Sequence, residues 1–314
     1  MKSAIVEGPG LTPIYGDFAT PVPEAGEQRV RVSTSALSPL TRARASGGHY
    51  SSSGRFPFIA GVDGTGRLDD GRRVYFILPR APYGGLAEET VVPQAQCLPL
   101  PDDLDDITAA AIANPGMSSW AALTERAGFQ AGETVLINGA TGASGRLAVA
   151  IARHMGAAKV IATGRDVATL EALGADVTIP LTADTSSLES RFAEQFAERV
   201  DVVLDYLWGM SAERLLIAGA KAGPDGIPIR FIQIGTASGA DITLPGAALR
   251  SSAIELKGSG IGSVSLERLL ASVDGVLKAA SAAGLHLPVQ QRPLADVQAV
   301  WTSSDQARTV FTVP

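Results

Sequence analysis

The sequence predicts an α/β protein of two parts, a doubly wound parallel sheet and a smaller β-rich module. Short apolar runs alternate with helical patterns from residue 118 to residue 257, and this alternation builds a parallel sheet covered by helices. The first hundred residues carry β-branched runs between glycine and proline clusters, which is typical of antiparallel structure. The length of 314 residues exceeds one typical core, so two domains are expected.

The N-terminal part is predicted to be mainly strands. Asp105–Ala113 follows as a helix that opens behind acidic residues, as the helix dipole favours. Asn114-Pro115-Gly116 is expected to end that helix. The predicted strands are Ser3–Val6, Val30–Ser35, Val74–Ile77 and Leu86–Val92.

The second part alternates strands and helices. A further amphipathic helix is predicted over Leu266–Leu277 with Ser265 as its N-cap. The short strand Thr309–Val313 is expected to rejoin the β-rich module, which gives domains 1–114 with 264–314, and 115–263. The predicted strands are Val135–Asn138, Val160–Thr163, Val177–Ile179, Val202–Tyr206, Phe231–Gly235 and Ile254–Lys257, and the helices are Leu147–Met155, Val167–Leu173, Leu188–Arg199 and Ala212–Ala222.

A glycine-rich turn joins the first strand of this second part to its first helix. The strand at Thr134–Ile137 is followed by Gly139, Gly142 and Gly145, and the helical pattern begins immediately afterwards. A helix N-terminus offers unpaired N–H groups, and residues without side chains let a pyrophosphate approach the backbone. The order of strand, turn and helix predicts a Rossmann-type dinucleotide site. The alternative is a glycine turn with a structural role alone.

Arg165 decides which dinucleotide we expect. It stands twenty residues after Gly145, where an NAD site usually places an acidic side chain. A guanidinium can hold a ribose 2′-phosphate through charge-assisted hydrogen bonds, so NADPH is predicted over NADH. Asp166 would repel that phosphate unless it caps the next helix, which is the role we predict for it. The alternative for Arg165 is a solvated surface arginine.

The composition excludes several functional classes. The chain has 26 basic and 32 acidic residues, for a net charge of −6, and its basic residues form no runs, so no nucleic-acid partner is expected. No apolar run approaches the roughly twenty residues that span a bilayer, and the N-terminus resembles no signal peptide. Lone Cys97 cannot form an internal disulfide, which favours a reducing compartment, and we expect a cytoplasmic location.

Several segments together resemble the zinc-independent quinone oxidoreductase branch of the medium-chain dehydrogenase/reductase superfamily. The resemblance extends over nearly the whole chain, with the segments in order and at the family spacing. The segment after Ser38 departs from it, because Ser38 and Thr41 stand where the family has Asn and Asp, and Ala43 stands near its Tyr. The matching segments are Gly61–Gly66 (GxDxxG), Gly84–Glu88, Asn114–Leu123 (PGxTAxxAL), Gly139–Gly145, Leu173–Asp176 (LGAD) and Asp201–Asp205 (DVVLD).

The resemblance implies a GroES-like β domain built from both chain ends and a cofactor domain between them. It also implies NADPH as cofactor, reduction of quinones or other electron-poor alkenes, and a homodimer, for which Ile254–Lys257 would supply an edge strand. Trp208 and the loop Gly235–Gly239 are expected near the cofactor, and the alternative for Trp208 is that it caps the core. The residues expected to contact the cofactor are Asn114, Ser118, Gly139, Thr141, Gly142, Ala143, Ser144, Gly145, Thr163, Arg165, Gly235 and Thr236.

No zinc site is expected. A catalytic zinc takes three protein ligands and a structural zinc takes four, usually cysteines. The chain has one cysteine, and its three histidines, His49, His154 and His286, are far apart in the sequence. In the zinc-dependent branch a histidine would stand at the position of Val62, whose side chain cannot ligate a metal.

Hydride transfer without a metal requires positioning and a hydrogen-bond donor for the developing oxygen charge. Ser38 and Tyr50 are the candidate catalytic residues, with solvent as an alternative proton source. The alternatives are that Tyr50 is a surface aromatic and that Ser38 completes a turn. We therefore expect an NADPH-dependent reductase of quinones or α,β-unsaturated carbonyls. The rival hypotheses are a reductase of natural-product intermediates and an NADPH-binding sensor or structural protein.

Overall fold

The computed structural model describes residues 1–48, 54–182, 184–303 and 307–314. The chain forms two compact units, residues 1–114 with 286–314, and residues 115–285. The strands are β1 Lys2–Val6, β2 Ile14–Asp17, β3 Glu27–Ala36, β4 Phe58–Ile59, β5 Asp63–Leu68, β6 Arg73–Ile77, β7 Glu89–Pro93, β8 Cys97–Pro99, β9 Thr134–Asn138, β10 Lys159–Gly164, β11 Val177–Pro180, β12 Val202–Asp205, β13 Ile229–Gln233, β14 Ile254–Gly258, β15 Val289–Pro293 and β16 Arg308–Thr312.

Nine helices are assigned within the described residues. None of these described helices is both long and apolar enough to cross a lipid bilayer. The helices are α1 Pro39–Ala45, α2 Asp106–Ala121, α3 Ala143–His154, α4 Val167–Ala172, α5 Thr185–Glu198, α6 Gly209–Ala222, α7 Gly246–Arg250, α8 Leu266–Ala279 and α9 Val297–Val300.

The second unit contains a six-stranded parallel sheet in the order β11-β10-β9-β12-β13-β14. Counted along the chain this is the order 3-2-1-4-5-6 of a Rossmann sheet, which agrees with the doubly wound parallel sheet that the sequence predicts. Asn138 at the end of β9 pairs with Thr163 on one side and with Asp205 on the other. Because parallel strands end at one edge, these three polar side chains meet there.

The sheet of the second unit is buried on both faces. All five residues of β9 and all four of β12 are buried, which is typical of a central parallel strand. On one face Phe192 and Phe196 of α5 and Leu215 of α6 pack against Phe231 of β13. This packing fixes the positions of the strands, and the candidate site lies at their carboxyl ends.

The first unit consists of two β-sheets. A three-stranded sheet has the order β2-β1-β4, and a larger sheet has the order β15-β16-β3-β5-β6-β8, with β7 paired to β3. β16 pairs antiparallel with β3, with Val310 opposite Ala36, so the C-terminal tail completes a sheet begun near the N-terminus. The predicted strand Thr309–Val313 is thus present as β16 and joins the β-rich unit.

The prediction that Asn114-Pro115-Gly116 ends a helix is wrong, because α2 continues to Ala121 with Pro115 inside it. Pro115 removes one helical hydrogen bond, a local cost of about 3 kcal/mol. Tertiary packing outweighs that cost, since the preceding residues 109–113 are completely buried. Gly116 instead serves close packing, because a β-carbon there would lie 2.8 Å from Val276 Cγ1.

The C-terminal boundary also differs from the expected one. The sequence predicts that the chain rejoins the first unit at residue 264, whereas in the structure it rejoins that unit at His286. The helix α8 causes the difference, because it packs on residues of the second unit. A β-carbon on Gly275 would lie 2.6 Å from Cε2 of Trp120, so the two helices approach closely at that glycine. The expected N-cap of α8, Ser265, is confirmed.

Candidate functional site

Two glycines shape the turn between β9 and α3, and a third leaves free space beside it. Gly139 has φ +95°, a left-handed conformation that favours glycine. Gly145 packs on the turn, because a β-carbon there would lie 2.3 Å from the Gly139 carbonyl oxygen. Gly142 is different: its φ is −77° and a β-carbon would come no nearer than 3.7 Å to a neighbouring atom. No packing requires glycine at residue 142.

The first turn of α3 lies beside that open glycine. Gly142 is its N-cap, and no side chain caps the helix. By contrast, the N-termini of α4, α5 and α8 are capped by Asp166, Asp184 and Ser265. The backbone N–H groups of Ala143 and Ser144 therefore form no hydrogen bond with a capping side chain. The positive end of the helix dipole would attract an anion that binds over Gly142.

A buried polar network fixes the ends of three strands under this turn. Thr163 Oγ1 donates to Asn138 Oδ1 at 2.7 Å, and Gly139 N donates to Thr163 Oγ1 at 3.2 Å. Asn138 Nδ2 donates to Asp205 Oδ1 at 2.8 Å and to Ser211 Oγ at 2.9 Å. Thr163 was predicted as a cofactor residue, and the structure places it beneath the turn as a support.

Asp205 is the charged member of the network. Its carboxylate also accepts from the backbone N–H groups of Leu207 and Trp208 at 3.0 and 3.1 Å. Burial raises the pKa of Asp205, although the hydrogen bonds from Asn138 and from these N–H groups oppose the rise. Sequence reasoning missed Asn138 and Asp205 as site residues. The signal was present, because polar residues at the carboxyl ends of adjacent strands mark the ligand edge of such sheets.

A second set of hydroxyls lies on α2. Ser119 Oγ donates to the Ser144 carbonyl at 3.1 Å and lies 2.8 Å from the Tyr206 hydroxyl. Ser118, the predicted residue, donates to the Pro115 carbonyl at 2.7 Å. Burial raises the pKa of Tyr206, and the hydrogen bond with Ser119 acts in the opposite direction. Ser119, which was not predicted, thus ties α2 to the first turn of α3.

Arg165 lies just after β10 and is exposed. It forms no hydrogen bond or ion pair within the part of the chain that the structure describes. Asp166 caps α4 as predicted, because its carboxylate accepts from Thr169 N at 3.1 Å and from Thr169 Oγ1 at 2.7 Å. These hydrogen bonds lower the pKa of Asp166, led by the bond from the Thr169 backbone. A guanidinium therefore remains available for an anion.

Arg146 is a second cation here that sequence reasoning missed. Its Nε donates to the Thr141 carbonyl at 3.0 Å, and its Nη2 donates to Thr169 Oγ1 at 3.3 Å. Thr141 also packs on the end of β10, because a β-carbon on Gly164 would lie 2.5 Å from Thr141 Cγ2. Arg146 thereby links the glycine turn to the cap of α4.

The other predicted loop of the second unit follows β13. A β-carbon on Gly235 would lie 2.6 Å from the Tyr206 carbonyl oxygen, so the loop passes tightly over the end of β12. Thr236 lines a shallow open pocket with Trp208 and Gln233. Trp208 has φ +56°, a strained conformation for a residue with a side chain. Strain of this kind at the ligand edge of a sheet accompanies functional loops.

The first unit holds the candidate catalytic Ser38, which caps α1. Ser38 Oγ accepts from Thr41 N at 3.0 Å and lies 2.9 Å from Thr41 Oγ1. Both residues are buried, so the two hydroxyls form a pair shielded from bulk water. The predicted turn role of Ser38 is therefore a helix cap. Tyr50, the other candidate, lies outside the described residues.

A cavity in the first unit adjoins this hydroxyl pair. Its free space is about 590 Å³, a value that includes solvent at the open mouth. We call this cavity the slot. Burial lowers the pKa of Arg44 in its wall. The wall includes Thr41, Arg44, Phe56, Phe58, Val62 and Tyr83.

Asn114, another predicted cofactor residue, belongs to a buried polar cluster. Tyr75 donates to Asp63 Oδ2 at 2.7 Å. Burial raises the pKa of Asp63, whereas Tyr75, Arg308 and Asn114 act to lower it. Burial also lowers the pKa of Arg308. The cluster occupies the interior of the first unit, and within the described residues Asn114 Nδ2 is buried there without a hydrogen-bond partner.

Within residues 1–48, 54–182, 184–303 and 307–314, no three His, Cys, Asp or Glu side chains are grouped closely enough to hold a metal ion. Val62 lines the slot with an apolar side chain. His154 lies beside Trp120 at 6.4 Å between ring centroids, which is a packing contact.

Comparison with known proteins gives a consistent result. No family model matches the chain. A probable NADPH-dependent quinone reductase of Emericella nidulans is 30% identical over 93% of this chain and 94% of its own. A quinone oxidoreductase of Thermus thermophilus, solved also with NADPH, has a TM-score of 0.81 and 27% identity, and covers 99% and 100% of the two chains. A mycobacterial quinone oxidoreductase matches in fold, with a TM-score of 0.83 at 20% identity over 99% of each chain.

Proposed function

The chain belongs to the quinone oxidoreductases of the medium-chain dehydrogenase/reductase superfamily, and we propose that it is an NADPH-dependent, metal-free reductase of quinones or α,β-unsaturated carbonyl compounds. One observation carries the cofactor assignment. The turn before α3 presents an open Gly142 and a helix end without a side-chain cap. Arg165 offers a guanidinium without a described partner near the same strand ends.

The reaction needs two electrons and two protons for each quinone. When bound, NADPH supplies a hydride, which carries both electrons and one proton, and leaves as NADP⁺. A second proton must reach the reduced oxygen to complete a hydroquinone, or the α-carbon to complete a saturated carbonyl compound. The protein has to hold the acceptor, exclude competing water and deliver that proton.

We assign the acceptor to the slot of the first unit. Phe56, Phe58 and Tyr83 line it, and aromatic side chains pack favourably on the ring of a quinone. Thr41 in the wall is hydrogen-bonded to Ser38, so this pair can pass a proton to an acceptor oxygen. Arg44 offers a charge that attracts a carbonyl or a developing oxyanion.

Acceptor-dependent oxidation of NADPH by the purified chain tests the function. We expect turnover with p-benzoquinone, menadione or an enone, with one NADPH consumed for each acceptor reduced. NADPH alone and NADH with acceptor are the controls for spontaneous oxidation and cofactor choice. NADPH binding without acceptor-dependent turnover would support the binding-protein alternative and contradict the proposal.

We also propose a homodimer through β14. This strand is the edge of the six-stranded sheet, and its Leu256 is 39% exposed. An unpaired edge with an apolar side chain favours pairing with its copy across a two-fold axis. Light scattering after gel filtration should give twice the chain mass of 32.3 kDa, and Leu256→Asp should shift the protein to monomer.

A cytoplasmic location is the last part of the proposal. The only cysteine of the sequence, Cys97, has no second cysteine with which to form an internal disulfide, which favours a reducing compartment. Cell fractionation should find the protein with cytoplasmic markers, and recovery in a membrane or secreted fraction would contradict this.

A further inference from the structure

Arg146 occupies an unusual position for a charged residue of α3. It lies in the first turns of the helix, where the positive end of the dipole disfavours a cation. Its guanidinium turns to the Thr141 carbonyl and to Thr169 Oγ1, at 3.0 and 3.3 Å. It thus joins the glycine turn to Thr169, whose hydroxyl donates to the capping carboxylate of Asp166. The helix dipole opposes this placement, and the two hydrogen bonds hold the guanidinium between the glycine turn and α4.

Asp166 creates a difficulty for an anion at Arg165. The two residues are neighbours, and a carboxylate beside a phosphomonoester repels it. Asp166 Oδ2 and Arg146 Nη2 both bond the Thr169 hydroxyl, so the two opposite charges are only two hydrogen bonds apart. The charge of Arg146 also contributes to the lowered pKa of Asp166. Arg146 is therefore placed to offset the negative charge next to Arg165.

We propose that Arg146 is a positioning residue that sets the preference for NADPH, because it offsets the charge of Asp166 and so lets Arg165 hold the ribose 2′-phosphate. The proposal rests on the proposed NADPH function and deepens it. Arg146 and Arg165 together outweigh Asp166 by one positive charge. Without Arg146 the net charge of the two remaining side chains is zero. The 2′-phosphate would then lose its net electrostatic attraction, whereas binding of the rest of the dinucleotide would not change.

Binding of 2′,5′-ADP and 5′-AMP by calorimetry measures the phosphate preference without turnover. We expect Arg146→Gln to weaken 2′,5′-ADP about tenfold and to change 5′-AMP by less than about twofold. Arg153→Gln is the matched control, because Arg153 lies on the same helix and pairs with Asp176 at 3.0 Å. That control should leave both ligands unchanged. Thermal unfolding of each variant checks that the fold is retained.

Asp166→Asn separates this role from a structural one. Asparagine still caps a helix, so α4 is retained while the charge is removed. In the Asp166→Asn background, Arg146→Gln should weaken the binding of 2′,5′-ADP by less than about threefold. Should the full loss persist in that background, or should Arg146→Gln weaken both ligands equally or neither, the proposal is overturned. A wild-type chain without preference for 2′,5′-ADP would instead contradict the NADPH assignment itself.

Discussion

Gly145 lies so near Gly139 that a β-carbon on Gly145 would be 2.3 Å from the Gly139 carbonyl oxygen. That contact sets the geometry with which β9 enters α3. Gly142, between them, makes no comparable contact. The three glycines of one turn therefore serve two purposes: packing of the protein on itself, and access for a ligand.

Alanine at each of two glycines should separate these purposes. We expect Gly145→Ala to destabilise the fold by about 1–3 kcal/mol, because its methyl group overlaps backbone atoms that cannot move away. Gly142→Ala should leave the free energy of unfolding nearly unchanged and weaken NADPH binding, since the methyl group fills the open face. Chemical denaturation and cofactor titration measure the two effects. Equal loss of stability in both variants would contradict the distinction.

Arg165→Ala should weaken NADPH binding on the order of tenfold, since hydrogen bonds to charged groups contribute roughly 1.5–3 kcal/mol each. NADH affinity should barely change, because it has no 2′-phosphate. The NADPH effect should shrink at high salt, since the arginine is exposed and screened. Titrations of both dinucleotides at two salt concentrations test this. Equal NADPH and NADH affinities in the unmutated protein would falsify the assignment.

The hydroxyl pair of Ser38 and Thr41 is expected to deliver the second proton. Thr41→Val keeps the shape of the slot wall and should lower kcat with a quinone by at least about tenfold. Ser38→Gly should do the same, and glycine still caps a helix adequately. Ser46→Ala, at the other end of α1, is the control, because its exposed hydroxyl bonds only the Ala43 carbonyl and the Gly48 N–H in the described structure. Unchanged kcat in both variants would point to solvent as the proton source.

Metal independence is predicted from Val62 and from the single cysteine. Elemental analysis of the purified protein should find no stoichiometric zinc, and a chelator should leave reductase activity unchanged. One tightly bound zinc ion for each chain, whose removal abolishes activity, would contradict this prediction.

Asp205 should impose a pH dependence on stability. Burial raises the folded-state pKa of Asp205 above its ordinary 3.8. Between that value and the folded-state pKa, the unfolded chain binds fewer protons, so stability falls as pH rises. We expect the wild type to lose stability in this window relative to Asp205→Asn, whose side chain does not titrate. Denaturation of both proteins across the acidic range measures the difference, and parallel pH profiles would contradict it.

The sequence was most informative where structure depends on neighbouring residues. The predicted strand Val160–Thr163 is β10, and Ser265 and Asp166 cap the helices that they were predicted to cap. These features follow from alternation, helical spacing and cap chemistry over a few positions. The doubly wound parallel sheet of six strands was expected as well, because alternating strands and helices with right-handed crossovers lead to it.

Only the tertiary structure decided the features that depend on residues far apart in the chain. Pro115 stays inside α2 because distant side chains bury that helix, and α8 joins the second unit because Gly275 admits Trp120. The network from Thr163 through Asn138 to Asp205 exists because three strands end at one edge. Likewise, Arg146 meets Thr169 across 23 positions of sequence. Local patterns specify elements, but hydrogen bonds and charge pairs in a site depend on which elements the core brings together.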